Sequence, residues 1–248
     1  MKKTVLVTAL IGVVGASNAM AQDDQKAFSL EGGLGFIFTT GNTDSTSISG
    51  SLESHQELER WSNDYNIEGL YKKESVENDA GEDEDRTSAQ KFYGSAQANY
   101  KLDNPDYRLF GFGSYKDDRF SSFNYQSTVA AGWNQQIWES DRQSLEYSLG
   151  PGYTWQETIE GEKQNGFIVR ASAAYQWLIS DTSKFTQTLS TEVGSDNTKS
   201  RSESALTATI SGNLSMKVAI KLDHNSNVDS GIEKLDTETA VTLVYSFF

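Results

Sequence analysis

The sequence predicts an all-β fold: an antiparallel, up-and-down transmembrane β-barrel of about twelve strands, preceded by a cleaved signal peptide. Three observations predict it. Twelve successive segments alternate apolar and polar residues, which gives each strand one oily and one wet face. The chain opens with the three-part pattern of a secretory signal. The last alternating segment ends on the aromatic pair Phe247-Phe248. Strands with a lipid-facing apolar side and a polar inner side are the units of a membrane barrel.

The N-terminus sets the boundaries. Met1-Lys2-Lys3 is a positive n-region, Thr4 to Ala16 an apolar h-region, and Ala19-Met20-Ala21 a cleavage site. Residues 1–21 are expected to be removed and residues 22–248 to form the barrel. The apolar run is too short to span a bilayer as a helix. There is no Cys, which excludes a lipid anchor on Cys, a disulfide and a thiolate metal site. Without the signal the chain keeps 19 basic and 35 acidic residues, a formal charge of −16. The basic footprint of a nucleic-acid binder is absent, and no such partner is expected. A mean hydropathy of −0.56 is compatible with a membrane barrel, because only alternate residues face lipid.

The segments read in order as follows. The first puts Phe28, Leu30, Gly32, Leu34, Phe36 and Phe38 on one face, with Ser29, Glu31, Gly33 and Gly35 on the other. The second carries Thr46, Ile48, Gly50, Leu52 and Leu58 outward, and Ser49, Ser51, Glu53, His55 and Glu57 inward. The third presents Tyr65, Ile67, Gly69 and Tyr71. The fourth presents Phe92, Gly94, Ala96, Ala98 and Tyr100, against Lys91, Ser95, Gln97, Asn99 and Lys101. The fifth is weaker, with Phe110 and Phe112 beside Arg108 and Lys116 on its wet face. Tyr107, Leu109 and Tyr115 are placed outward because that face lacks charge. The sixth, seventh and eighth are led by Val129 and Trp133, by Leu149 and Trp155, and by Phe167, Tyr175 and Trp177. The ninth and eleventh are weak. The tenth shows Leu206, Ala208 and Ile210, and the twelfth Val241, Leu243, Tyr245 and Phe247.

Connection lengths support an even barrel with both ends in the periplasm. Short turns are expected at 61–64, 103–106, 139–142, 179–183 and 215–217. Longer connections are expected at 74–87, 117–124, 157–165, 194–200 and 225–236. The first outer connection, Gly41 to Asp44, is the short exception.

Aromatic spacing gives a second test. Phe167 and Trp177 lie ten residues apart and Tyr107 and Tyr115 eight apart. At about 3.3 Å per residue and a tilt near 40°, these spacings cover roughly 20–25 Å, the height of a lipid-facing band. Tyr71, Phe92, Tyr100, Tyr107, Tyr115, Tyr125, Trp155, Phe167 and Trp177 are the expected girdle residues, since indole and phenol rings favour the interface. Tyr245, Phe247 and Phe248 form an expected assembly signal, through which the outer-membrane assembly machinery would take the terminal strand. Phe248 extends one residue past the usual final aromatic.

Three stretches together resemble one family. They are Gly41-Asn42-Thr43-Asp44, Ser148-Leu149-Gly150-Pro151-Gly152-Tyr153, and Asp236-Thr237-Glu238-Thr239 leading into Val244-Tyr245-Ser246-Phe247. Their order and spacing are similar to the YdiY-like family, described as salt-induced outer-membrane proteins and classed as a domain of unknown function. The resemblance implies an outer-membrane β-barrel in a Gram-negative envelope, in contact with lipid and lipopolysaccharide, and a link to salt or osmotic stress. It brings no catalytic residues.

No catalytic, metal or cofactor site is expected from the residues themselves. His55 and His224 fall at opposite ends of the barrel and on opposite faces, so they cannot share a site. A hydrolase built on His224 and Ser226 is a remote alternative. His55 beside Glu53 and Glu57 reads as a wet inner face ahead of a metal site. The acidic stretch 74–86 in the longest outer loop reads as solvated and mobile, with divalent-cation capture near lipopolysaccharide as the alternative. The expected lumen charges are Glu31, Glu53, Glu68, Lys91, Lys101, Arg108, Glu146, Arg170, Glu192 and Lys221. Both signs occur, and charges in a narrow interior should pair. Two functions follow: a narrow passive channel for small hydrophilic solutes, favoured for its polar filling, or a non-conducting envelope barrel with a salt-bridged interior.

Overall fold

The computed structural model describes residues 28–39, 45–77, 83–119, 121–228 and 232–248. The expected signal peptide, residues 1–21, and the expected turn at 41–44 therefore lie outside the described residues. Twelve strands follow one another: β1 (Phe28–Thr39), β2 (Ser45–Glu57), β3 (Trp61–Glu77), β4 (Asp83–Lys101), β5 (Tyr107–Asp118) and β6 (Phe123–Glu139). Then come β7 (Gln143–Thr158), β8 (Gly166–Ser180), β9 (Ser183–Gly194), β10 (Thr198–Ser211), β11 (Leu214–Asn225) and β12 (Leu235–Ser246). Each pairs antiparallel with its sequence neighbours, and β12 pairs with β1 over four residues, which closes the sheet into a barrel.

The side-chain distribution is inverted relative to a soluble protein. The largest fully buried side chains are Asn99, Asn134, Thr128, Ser62, Ser122 and Ser148. Leu34, Phe36, Ile67, Leu109, Leu149, Val169, Leu189, Ile220 and Leu243 are exposed on the outside. An exposed apolar surface of this extent marks an interaction with another apolar medium. Closing the sheet is what lets strands satisfy their backbone groups in lipid.

Two expected turns are corrected. Residues 61–64 belong to β3, and the chain turns at 58–60, closed by Leu58 N–H donating to the Trp61 carbonyl at 2.7 Å. Trp61 instead faces out and meets Tyr100 edge-on at 5.1 Å, while Asp64 faces in towards His55. Residues 215–217 belong to β11, and the turn lies at Gly212-Asn213. Gly212 has φ 54°, a left-handed conformation that glycine adopts without penalty from a Cβ. The expected outer loop at 74–87 is also shorter. β3 and β4 stay paired through Glu77 and Asp83, extending the wall as a hairpin.

Glycines permit one close approach. Gly132 on β6 and Gly150 on β7 bring their backbones together, and a Cβ on Gly132 would lie 2.6 Å from the Gly150 Cα. Pro151 sits beside this contact, where it has no ladder donor to lose. The Ser148–Tyr153 stretch noted in the sequence thus marks the point where two wall strands press together.

Candidate functional site: an ion-paired lumen

The inner faces of β10 and β11 form the hub of the interior. Alternation turns Lys199, Arg201 and Glu203 inward from β10, and Lys217, Lys221, Asp223 and Asn225 inward from β11. Asp223 accepts a hydrogen bond from Lys91 on β4 at 2.8 Å, lies 3.5 Å from Lys116 on β5, and lies 3.9 Å from Arg201. β5 and β11 are six strands apart in a ring of twelve, so the Lys116–Asp223 contact crosses the full diameter. Arg201 also crosses it, with its guanidinium 4.2 Å from the centre of the Tyr93 ring on β4.

Further ties surround the hub. Glu68 on β3 accepts from Arg201 at 2.8 Å and from Lys221 at 2.5 Å. Lys217 donates to Glu53 on β2 at 2.8 Å and lies 2.9 Å from Glu203. Glu192 on β9 pairs with Lys199 at 2.8 Å and accepts from the Thr128 hydroxyl at 2.8 Å. Arg170 on β8 lies over Phe112 at 3.7 Å, faces Glu192 at 3.8 Å, and donates to Ser148 and Ser172. Seven basic residues (Lys91, Lys116, Arg170, Lys199, Arg201, Lys217, Lys221) meet seven acidic ones (Glu53, Glu68, Asp118, Glu192, Glu203, Asp223, Glu238) in this network. Such pairing offsets the cost of taking charge from water.

The two mouths differ. At the end with the longer connections amides dominate: Gln126 donates to Gln156 and Asn225, and Asn197 donates to Asn225. At the end with the short turns His55 lies 2.7 Å from Asp64 and 3.4 Å from Glu57, and Lys101 is bonded to Glu57 and to the Leu58 carbonyl. Arg108 and Glu146 stand 3.8 Å apart there, and Lys184 approaches Glu31 at 3.9 Å. Among the described residues no group of three His, Cys, Asp or Glu side chains is placed to hold a metal ion. His224 faces outward on β11, away from His55.

All ten lumen charges named from sequence therefore sit on inward faces, but they are not the whole network. Lys199, Arg201, Glu203, Lys217, Asp223 and Glu238 lie outside that set, and Lys116, read onto the wet face of the fifth segment, joins them in the network. Period-two extension from Leu206 and Lys221 was the signal that finds most of them. Glu74, in the acidic stretch, is bonded to Lys72 on the same strand.

The aromatic residues fall into two bands. Phe92, Tyr115 and Tyr125 form one row towards the end with the longer connections, with ring centres 6.5 and 6.3 Å apart. Tyr153, Trp155 and Phe167 continue it, and Tyr71 joins through a contact to Thr87. Towards the end with the short turns lie Trp61 with Tyr100, Tyr107 with Trp133, and Tyr175 with Phe185, with Trp177 also exposed. Tyr245 with Phe247 and Phe28 with Phe248 finish this band at the seam.

A closed barrel with a polar, ion-paired interior and an apolar, aromatic-banded exterior is a transmembrane β-barrel protein. The chain belongs to the family described as "Protein of unknown function, DUF481", which matches residues 32–247. It is 29% identical over 221 residues to the protein named "Uncharacterized protein YdiY" of Escherichia coli (strain K12), covering 87% of this chain and 82% of that one. Among solved structures it is similar to the COG4313 outer membrane channel from Pseudomonas putida F1, with a TM-score of 0.51 and 9% identity over 94% of this chain and 100% of that one. The NanC porin aligns over 88% of this chain and 98% of its own, at a TM-score of 0.48 and 10% identity. At 9% identity the likeness to the COG4313 channel concerns the fold.

Proposed function

We propose that this protein is an outer-membrane barrel carrying a narrow passive channel for small hydrophilic solutes, closed at rest by ion pairs across its lumen. The observation that carries the reading is the tie of Lys91, Lys116 and Arg201 to Asp223, reached from three other strands. A barrel meant only as a solid wall is served as well by apolar filling, because replacing buried ion pairs with packed hydrophobic residues is often neutral or stabilising. Long Lys and Arg side chains that meet one carboxylate near the axis are a plug that can be undone by small rotations. The export and assembly readings belong to the same proposal, with the aromatic end of the chain as the segment that the assembly machinery takes.

The second reading is a permanently closed envelope barrel, which the hydrogen-bonded amides at the mouth with the longer connections favour. Single-channel recording in planar bilayers across a salt series separates the two. A channel closed by Asp223 shows rare, small openings that become frequent in Asp223→Asn. A folded barrel that stays silent in both forms at every ionic strength establishes the closed reading and removes the channel.

A further inference from the structure

The interior is packed unevenly around the ring. On the β4–β9 side a set of inward residues is fully buried: Asn99, Phe110, Thr128, Asn134, Ser148 and Ile168 are each 5% exposed or less. On the β12–β1–β2 side Ser47, Ser49, Ser51, Ala240 and Thr242 are small and half-buried, while Gly33, Gly35 and Val244 are buried. Among the glutamates the extremes fall the same way, Glu53 at 44% exposed and Glu192 at 7%, although Glu146 on β7 and Glu238 on β12 are alike at 27% and 26%.

Glycine creates the open side. Gly33 and Gly35 on β1 point inward, and a Cβ on Gly33 would lie 2.5 Å from the Ser51 hydroxyl and 2.9 Å from the Thr242 methyl. With no side chain on β1 here, Ser51 and Thr242 lie back against that wall. The space left is a cavity of about 40 Å³ between this wall and the charged hub. It has room for water, which needs only about 10–15 Å³ by the same measure. Its charged lining is Glu53, Glu68 and Glu238 with Lys91, Lys217 and Lys221.

We infer that the solute path of the proposed channel is eccentric: it runs along the β12–β1–β2 wall over Gly33, Ser51 and Thr242, where the cavity is twice the roughly 20 Å³ left on the more closely filled β4–β9 side. This rests on the channel reading above. Three lysines against three glutamates give the lane no dominant sign, so it passes small polar solutes and ions with little charge preference. A K⁺ to Cl⁻ permeability ratio within about threefold of one is expected.

The absence of native Cys makes the test direct. Ser51→Cys, Thr242→Cys and Ala130→Cys, the last at a buried inward position of β6 outside the ion-paired network, are each made in the full protein, checked for the folded form, and treated in bilayers with a membrane-impermeant, charged methanethiosulfonate. The expected result is a drop of at least twofold in single-channel current at Ser51→Cys and Thr242→Cys. Ala130→Cys should keep its current and its free thiol. A conducting barrel blocked through Ala130→Cys and indifferent at the other two positions overturns the eccentric path and leaves the channel reading standing. An unmodified barrel with no openings, including in Asp223→Asn, overturns the channel reading and the lane with it.

Discussion

At the scale of single residues, charge partners decide what a substitution does. Asp223 is shared by Lys91, Lys116 and Arg201, and its side chain is 10% exposed. Asp223→Asn leaves three buried cations short of a counter-charge, and breaking a buried pair in this way costs about 3–5 kcal/mol. Glu53 is 44% exposed, and its partner Lys217 keeps Glu203 at 2.9 Å when Glu53 is lost. Glu53→Gln is therefore expected to cost about 1 kcal/mol or less. Urea unfolding of the two variants in lipid vesicles measures the difference. Equal midpoints would show that the hub does not hold the barrel together. Arg170 has a third character: it packs against Phe112 as well as facing Glu192, so its stem and ring contact count alongside its charge.

At the scale of elements, alternation was sufficient to read the strands, because each has one lipid face and one polar face. Even the weak fifth segment followed the absence of charge: Phe110 is buried inside, and Leu109 and Tyr115 face out. Turn positions were less legible. Trp61 and Lys217 look like strand ends in a list of polar and bulky residues, and only their partners, Tyr100 across the girdle and Glu53 across the lumen, place them inside strands. Cross-lumen partners were not legible at all, since period two gives the face of a residue and not its counterpart on a strand 132 residues away, as for Lys91 and Asp223. The β6–β7 contact tests the local physics of the wall. Gly150→Ala drives a Cβ into the Ala131 carbonyl, whereas Gly111 on β5 has nothing within 4 Å. Gly150→Ala should lose most of its folded, heat-modifiable form on electrophoresis, while Gly111→Ala should match the parent protein. Normal folding of Gly150→Ala would show that the two backbones can separate without consequence.

At the scale of the whole molecule, closure depends on a short seam. β1 and β12 are paired over four residues, Glu31–Leu34 with Leu243–Ser246, whereas β1 and β2 are paired over twelve. The terminal aromatics reinforce the seam from outside. Phe247 N–H donates to the Leu30 carbonyl at 2.9 Å, its ring covers Gly32, and Phe248 lies 5.8 Å from Phe28. Gly32 is what lets that ring lie flat, since a Cβ there would stand 3.1 Å from it. The barrel thus opens most easily where its first and last strands meet, because local opening follows the number of backbone bonds that must break together. Hydrogen exchange on the barrel in detergent or lipid reads this directly. Amides of Glu31–Leu34 and Leu243–Ser246 should exchange roughly tenfold faster than those at the centre of the β2–β3 pair, a difference of about 1.4 kcal/mol in opening free energy. Phe247→Ala should speed exchange further at the seam and leave β6–β7 unchanged. Uniform protection around the ring, or a Phe247→Ala effect spread over all strands, would mean that the barrel opens as one unit and that its terminal aromatics serve delivery to the membrane ahead of closure.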